Sequence, residues 1–159
     1  MGRLILGVLA GYIVMAAFVF VTFSLLYLVL GTEGSFQPES YDVSLTWVIG
    51  SIVLGFMGAV LGGYVAVKVG RNLKTGVVFA VIVFLLGIGT AIMGMSDTFA
   101  ASGVRQGEVA MMDAMQTAKQ PTWFMFLNPL LGVIGVLLGA RCAGASKETA
   151  RVAMRGAGA

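Results

Sequence analysis

The sequence predicts an all-α polytopic membrane protein, a bundle of four transmembrane helices, and three observations carry that prediction. The first is composition: 58% of the 159 residues are hydrophobic, only 11% are charged, and the mean hydropathy is +0.97. A soluble domain carries about 25% charged residues, so too little polar surface exists here to cover the apolar groups in water. The second is the distribution of charge, which leaves uncharged stretches at 4–32, 43–67, 75–96 and 120–140. Each is long enough, at about 1.5 Å per helical residue, to cross a hydrocarbon core of about 30 Å. The third is that runs such as Val77 to Leu86 are apolar throughout. A transmembrane β-barrel strand would alternate apolar and polar residues, so the pattern favours helices.

The first span, about 4–30, follows Arg3 and resembles a signal peptide only superficially, because its apolar run is far too long and ends without a small-residue cleavage site. At that length it is expected to tilt, kink or project into the headgroups. The second span, about 44–67, contains LGFMGAVLG from Leu54 to Gly62, and the fourth, about 122–140, contains LGVIGVLLG from Leu131 to Gly139. The shared LGxxGxxLG string suggests two repeated helical hairpins, with close-packing glycines as an alternative reason for the likeness. Gly55, Gly58, Gly62, Gly132, Gly135 and Gly139 are the expected helix-packing positions, since small residues let backbones approach where lipid supplies no hydrophobic drive. Such glycines serve an intrachain contact, the favoured reading, or a homodimer seam. The third span is about 75–96. In the fourth, Asn128-Pro129 predicts a local kink, because proline lacks an amide N–H and leaves the Met125 carbonyl without its helical partner.

Orientation follows from Lys and Arg in the connections. Arg3, Lys68, Arg71, Lys74, Arg141, Lys147, Arg151 and Arg155 fall on one side with the single acid Glu148. The opposite side has Arg105 and Lys119 against Glu33, Glu39, Asp42, Asp97, Glu108 and Asp113. Both termini are therefore expected in the cytoplasm, with residues 1–145 forming the membrane domain and 146–159 a basic tail, helical in part behind Ser146 as N-cap. Lys68, Arg71, Lys74 and Arg141 would meet anionic inner-leaflet lipid. Trp47, Trp123 and Tyr64 fall near span ends, where amphipathic rings anchor at the interface. On the outer side, 108–116 predicts a short surface helix. The pI of about 9.3 reflects this lipid-facing charge; no basic-and-aromatic pattern for nucleic acid is present.

The chemistry-bearing residues are few. There is no histidine and only one cysteine, Cys142, beside Arg141, which excludes an internal disulfide and any Cys-only zinc site. Cys142 offers lipidation or redox chemistry in principle, although a juxtamembrane thiol is more often inert. No ionisable residue lies inside a span, which disfavours proton-coupled transport. The hydroxyls of Thr22, Ser24, Ser51 and Thr90, with Asn128, could line a neutral pore, though such hydroxyls commonly bond to their own helix. Met93, Met95, Met111, Met112 and Met115 form the one candidate soft-metal cluster, suited to Cu(I), with flexible packing as the commoner use of methionine. No nucleophile–base or paired-carboxylate arrangement is visible, so an enzyme is not expected, nor a cofactor held by this chain alone; bound lipid is.

The string Gly62-Gly63-Tyr64-Val65-Ala66-Val67-Lys68, the basic turn after it, and Pro121-x-Trp123 leading to Leu138-Gly139-Ala140-Arg141 resemble a loose class of uncharacterised small four-helix bacterial inner-membrane proteins. The resemblance implies the four-helix fold and that membrane, and it implies no activity. The functional expectation is a noncatalytic accessory or structural subunit packing within a larger membrane complex or against itself. The alternative is a small oligomeric channel or transporter for a neutral or small solute.

Overall fold

The structure, a computed structural model, describes residues 1–95, 105 and 107–156, with backbone only for 115 and 145–156. It is all-helical, with no strand among the described residues, and its elements run α1 (Gly2–Ser35), α2 (Leu45–Gly70), α3 (Leu73–Met95), α4 (Met111–Thr117) and α5 (Thr122–Gly156). Four of these helices are long and apolar enough to cross a membrane, α5 through its portion Thr122–Gly144. Their apolar side chains point outward as well as inward, as in Ile13, Leu28, Leu85 and Ile134, all at least half exposed. Lipid is the solvent such a surface requires.

Local chemistry sets the helix ends. Gly31 stands inside α1 at φ 64°, ψ −176°, a conformation essentially reserved for glycine, so the last turn of α1 is offset from the rest. Ser44 begins α2: its Oγ accepts the Trp47 N–H at 3.1 Å and donates to the Gly34 carbonyl at 2.5 Å, tying the start of α2 to the end of α1. Arg71 ends α2 in the left-handed region, its N–H reaching the Val67 carbonyl at 2.8 Å. Asn72 then starts α3, its Oδ1 accepting the Lys74 N–H at 2.9 Å. The basic turn is thus a tight αα connection of two residues between α2 and α3.

α2 lies at the centre, packed against α1 on one side and α5 on the other, with α3 against α5 and touching both α1 and α2. The α2–α5 seam is backbone on backbone. A Cβ at Gly63 would fall on the Val136 carbonyl, and one at Gly139 would fall on the Val60 carbonyl. On the opposite face of α2, a Cβ at Gly62 would lie 2.9 Å from Met15 Cβ, 3.0 Å from the Gly11 oxygen and 3.3 Å from Phe79 Cε1, so three helices converge there. Ala59, Ala66, Phe79, Ala80 and Val136 form the buried core around this point.

The repeated glycine string does not place its residues alike. Gly58 and Gly62 of α2 face α1, whereas Gly135 and Gly139 of α5 face α2 instead of α3. Gly55 departs from the expected packing role altogether: a Cβ there would meet only Asn128 Oδ1, at 3.9 Å. Gly132 faces Val83 at 3.2 Å. Several close glycine approaches, that of Gly63 among them, fall outside the string. Gly7 and Gly11 take the backbone of Gly70 and Ala66, and Gly87 takes the ring of Pro129 at 2.8 Å. The expected N-cap at Ser146 is absent, because α5 runs continuously from the span to Gly156. The surface helix predicted over 108–116 is α4, seven residues long and shifted toward the C-terminus.

At the end of the bundle opposite the termini, residues 32–44, 105 and 107–121 form a cap. Val43 N–H donates to the Lys119 carbonyl at 3.0 Å and Lys119 N–H to the Tyr41 carbonyl at 2.8 Å. Tyr27 Oη donates to the Val109 carbonyl at 2.6 Å, beneath a cluster of Tyr27, Phe36 and Ala114.

Candidate functional site

Tight packing holds the four spans together at the end carrying the termini, but toward the cap α1 and α3 leave a gap. The gap is a lateral cleft of about 780 Å³, within the range of about 300–1,000 Å³ common for ligand sites. Tyr12, Met15, Val19 and Phe23 form its α1 wall, each one helical turn from the next. Leu86, Thr90 and Gly94 belong to its α3 wall, and Gly55 and Asn128 to its floor. Asp42, Gln116, Lys119 and Gln120 form a polar rim at the cap.

The cleft has a definite depth. From Phe23 to Tyr12 the α1 wall rises about 16 Å at 1.5 Å per residue, roughly half of a 30 Å hydrocarbon core. At its deep end Met15 and Val83 pack on the buried core around Phe79, which is fully buried. The cavity therefore opens sideways and toward the cap and stops midway through the bundle.

Glycines make the space. With no side chain at Gly55 the floor sits low, and Gly87 lets α3 close onto Pro129 at the floor's edge. Asn128 is solvent-accessible on that floor, and its amide has no hydrogen bond to any described residue. The Thr90 hydroxyl, on the wall, donates to its own helix at the Gly87 carbonyl, 2.9 Å away. Ser51 does not join them: it is buried within the bundle, and its Oγ is without a hydrogen-bond partner. Thr22 and Ser24 donate to the carbonyls of Phe18 and Phe20 on α1. Of the polar span residues expected to line a pore, the cleft unites Thr90 and Asn128 only.

The methionines are dispersed in role. Met111 packs beside Ala114 under the cap, Met95 lines the upper cleft, and Met93 and Met112 are exposed. The side chain of Met115 lies outside the described residues. Of the interfacial aromatics, Trp47 is half-buried in edge contact with Phe23 at 5.9 Å and Tyr27 at 6.1 Å, so it braces the cap against α1. Trp123 is exposed at the start of α5, and Tyr64 carries Lys68 over its ring at 5.2 Å near the termini end. Arg71, Lys74 and Arg141 are exposed at that same end, as is Cys142. The side chains of Lys147, Arg151 and Arg155 lie outside the described residues.

Sequence reasoning missed Arg105, which counts there only as a loop charge. Its side chain is 3% exposed and bonds to Glu33 at 3.0 Å, the Gly107 carbonyl at 2.9 Å and the Ser40 carbonyl at 3.3 Å. Its guanidinium also lies over the Phe36 ring at 5.8 Å. It joins two cap segments far apart in sequence, its own stretch at 105 and 107 and the stretch 33–40, and no local pattern signals that.

Comparison with known proteins finds no matching family model, no similar curated sequence and no similar solved structure. The class that fold and site define is thus the coarse one: a helical membrane protein with four spanning helices and a blind lateral cleft under a folded cap.

Proposed function

We propose that this chain is a noncatalytic subunit of a larger membrane assembly, one that holds a hydrophobic component in place. The blind lateral cleft is the observation that carries the reading. A site open to the lipid phase but closed midway by Met15 and Phe79 retains what enters from the side and offers no route across. The described span residues lining it are uncharged, so the site supplies shape and hydrogen bonding without a general acid or base. The membrane proposed is a bacterial inner membrane with both termini in the cytoplasm, on the strength of the basic residues gathered at the termini end. There Lys68, Arg71, Lys74 and Arg141 would meet anionic headgroups.

Extraction of the tagged chain from its native membrane into lipid nanodiscs, followed by native mass spectrometry, tests the reading. Protein partners at fixed stoichiometry are expected. A lone chain or homo-oligomer that moves a small neutral solute across liposomes would replace it with the second reading, a small channel or transporter. That reading draws on Thr90 and Asn128 sharing one cavity, and it requires the seal at Met15 and Phe79 to open.

A further inference from the structure

We infer that the cleft binds one membrane amphiphile, a lipid with a hydrocarbon chain and a carbonyl group just below its head, drawn from the leaflet on the cap side. The inference rests on the holding role proposed above and names what is held. Three observations converge on it.

Depth is the first. The cleft spans about 16 Å along α1, one leaflet's share of the hydrocarbon core, and ends on Met15 and the core around Phe79. A partner transmembrane helix is about 10 Å wide with its side chains and must continue through both leaflets, so it cannot seat in a cleft closed midway. A hydrocarbon chain entering from one leaflet matches that depth.

Polarity is the second. The walls are apolar except for the Asn128 amide, which makes no hydrogen bond to a described residue, the Thr90 hydroxyl, already donating to the Gly87 carbonyl, and the Tyr12 phenol at the deep end. An amide left unpaired at this depth is costly in hydrocarbon. Asn128 lies six residues into α5 from Thr122 at the rim, about 9 Å lower. An amphiphile's carbonyl just under its head reaches that level while its head stays at the cap.

The rim is the third. Gln116, Lys119 and Gln120 crown the cleft on the cap side together with the carboxylate Asp42, and no carboxylate lies within 4 Å of the Lys119 ammonium among the described residues. The ammonium and the two amides suit a phosphate head. An ester glycerolipid carries its acyl carbonyls between such a head and its chains, whereas an isoprenoid quinone carries its carbonyls in the head ring itself and cannot reach Asn128 while its head stays at the rim.

The full chain in native nanodiscs is examined by native mass spectrometry with fragmentation, expecting one retained ester glycerolipid per chain; a retained quinone would overturn the carbonyl assignment. It is then challenged with two photoactivatable probes, a diacyl phosphatidylethanolamine carrying a diazirine on one chain and a diazirine isoprenoid quinone. Cross-links are expected on Met15 and Leu86. Gly55→Leu fills the floor, where a Cβ would meet only Asn128 Oδ1, at 3.9 Å, and Asn128→Leu removes the amide; each should lower capture of the favoured probe at least tenfold. Gly89→Leu, on open helix surface, should leave it unchanged. Equal capture by the wild type and Gly55→Leu would overturn the site, and capture unaffected by Asn128→Leu would overturn the carbonyl contact. A partner protein cross-linked from the cleft in place of either probe would overturn the inference while leaving the subunit reading standing. An amphiphile retained with no partner protein would do the reverse.

Discussion

A Cβ added at Gly139 should split the bundle along its α2–α5 seam, and the cost follows from the contacts. The new carbon would fall on the Val60 carbonyl and lie 2.8 Å from both Tyr64 N and Val60 C. Carbon atoms settle at roughly 3.5–4.0 Å, so the two helices must part by about 0.7 Å or more. Every atom met is backbone, so no side chain can turn aside. A gap of that size forfeits a quarter to a half of each dispersion contact along the seam, and overpacking typically costs about 1–3 kcal/mol. Alanine also gains about 1 kcal/mol over glycine in helix propensity, which would mask part of the loss. Gly89→Ala supplies the correction, because Gly89 lies on a helix with nothing within 4 Å of its Cβ and takes the same propensity gain without the clash. The difference between the two variants should be about 1–3 kcal/mol. Unfolding in mixed micelles by titration with dodecyl sulfate measures it, followed through the fluorescence of Trp47, which is packed on Phe23 and Tyr27. Midpoints for Gly139→Ala and Gly89→Ala that agree within about 0.5 kcal/mol would refute the backbone contact.

Other positions give independent readouts. Arg105→Ala should loosen the cap by about 2–3 kcal/mol through its lost charged hydrogen bonds, and faster amide exchange across 32–44 than across α2 would register it. Gly31→Ala forces a Cβ into φ 64°, ψ −176° and should cost about 1–3 kcal/mol; a thermal midpoint equal to wild type would contradict that backbone assignment. Ser44→Ala removes the cap of α2 and should lose about 1 kcal/mol, measured in the same micelle titration. For topology, Cys142, the single cysteine and an exposed one, should react with a membrane-impermeant maleimide only in inverted vesicles. In a Cys142→Ser background, Gln120→Cys should react only in right-side-out vesicles, and the opposite pattern would reverse the proposed orientation.

The four spans were legible because their signal is compositional: each stretch is long, uncharged and apolar, and a lipid-spanning backbone has no alternative to helix. Trp47 shows where legibility ends. Its interfacial position was readable, but its edge contacts with Phe23 and Tyr27 depend on how α1 and α2 meet. Asn128-Pro129 was readable as a polar break in the fourth span, but that Gly87 would receive the proline ring, leaving the amide in a cavity, was not. The repeated LGxxGxxLG string marked close packing but not its partners, for a related reason. A glycine's role depends on which helix its face meets, and equal strings in α2 and α5 meet different neighbours.

The sequence alone determined that this chain lives in lipid, crosses it with four helices and concentrates its basic residues at one end, because hydropathy and charge act residue by residue against a fixed solvent thickness. Tertiary structure decided which glycines touch backbone, that Arg105 is buried against the stretch 33–40, and that α1 and α3 leave a cleft over Gly55 and Asn128. Those outcomes depend on helix rotation and crossing, set by the sum of many contacts of about 0.1–0.2 kcal/mol each, and no single stretch of sequence contains that sum.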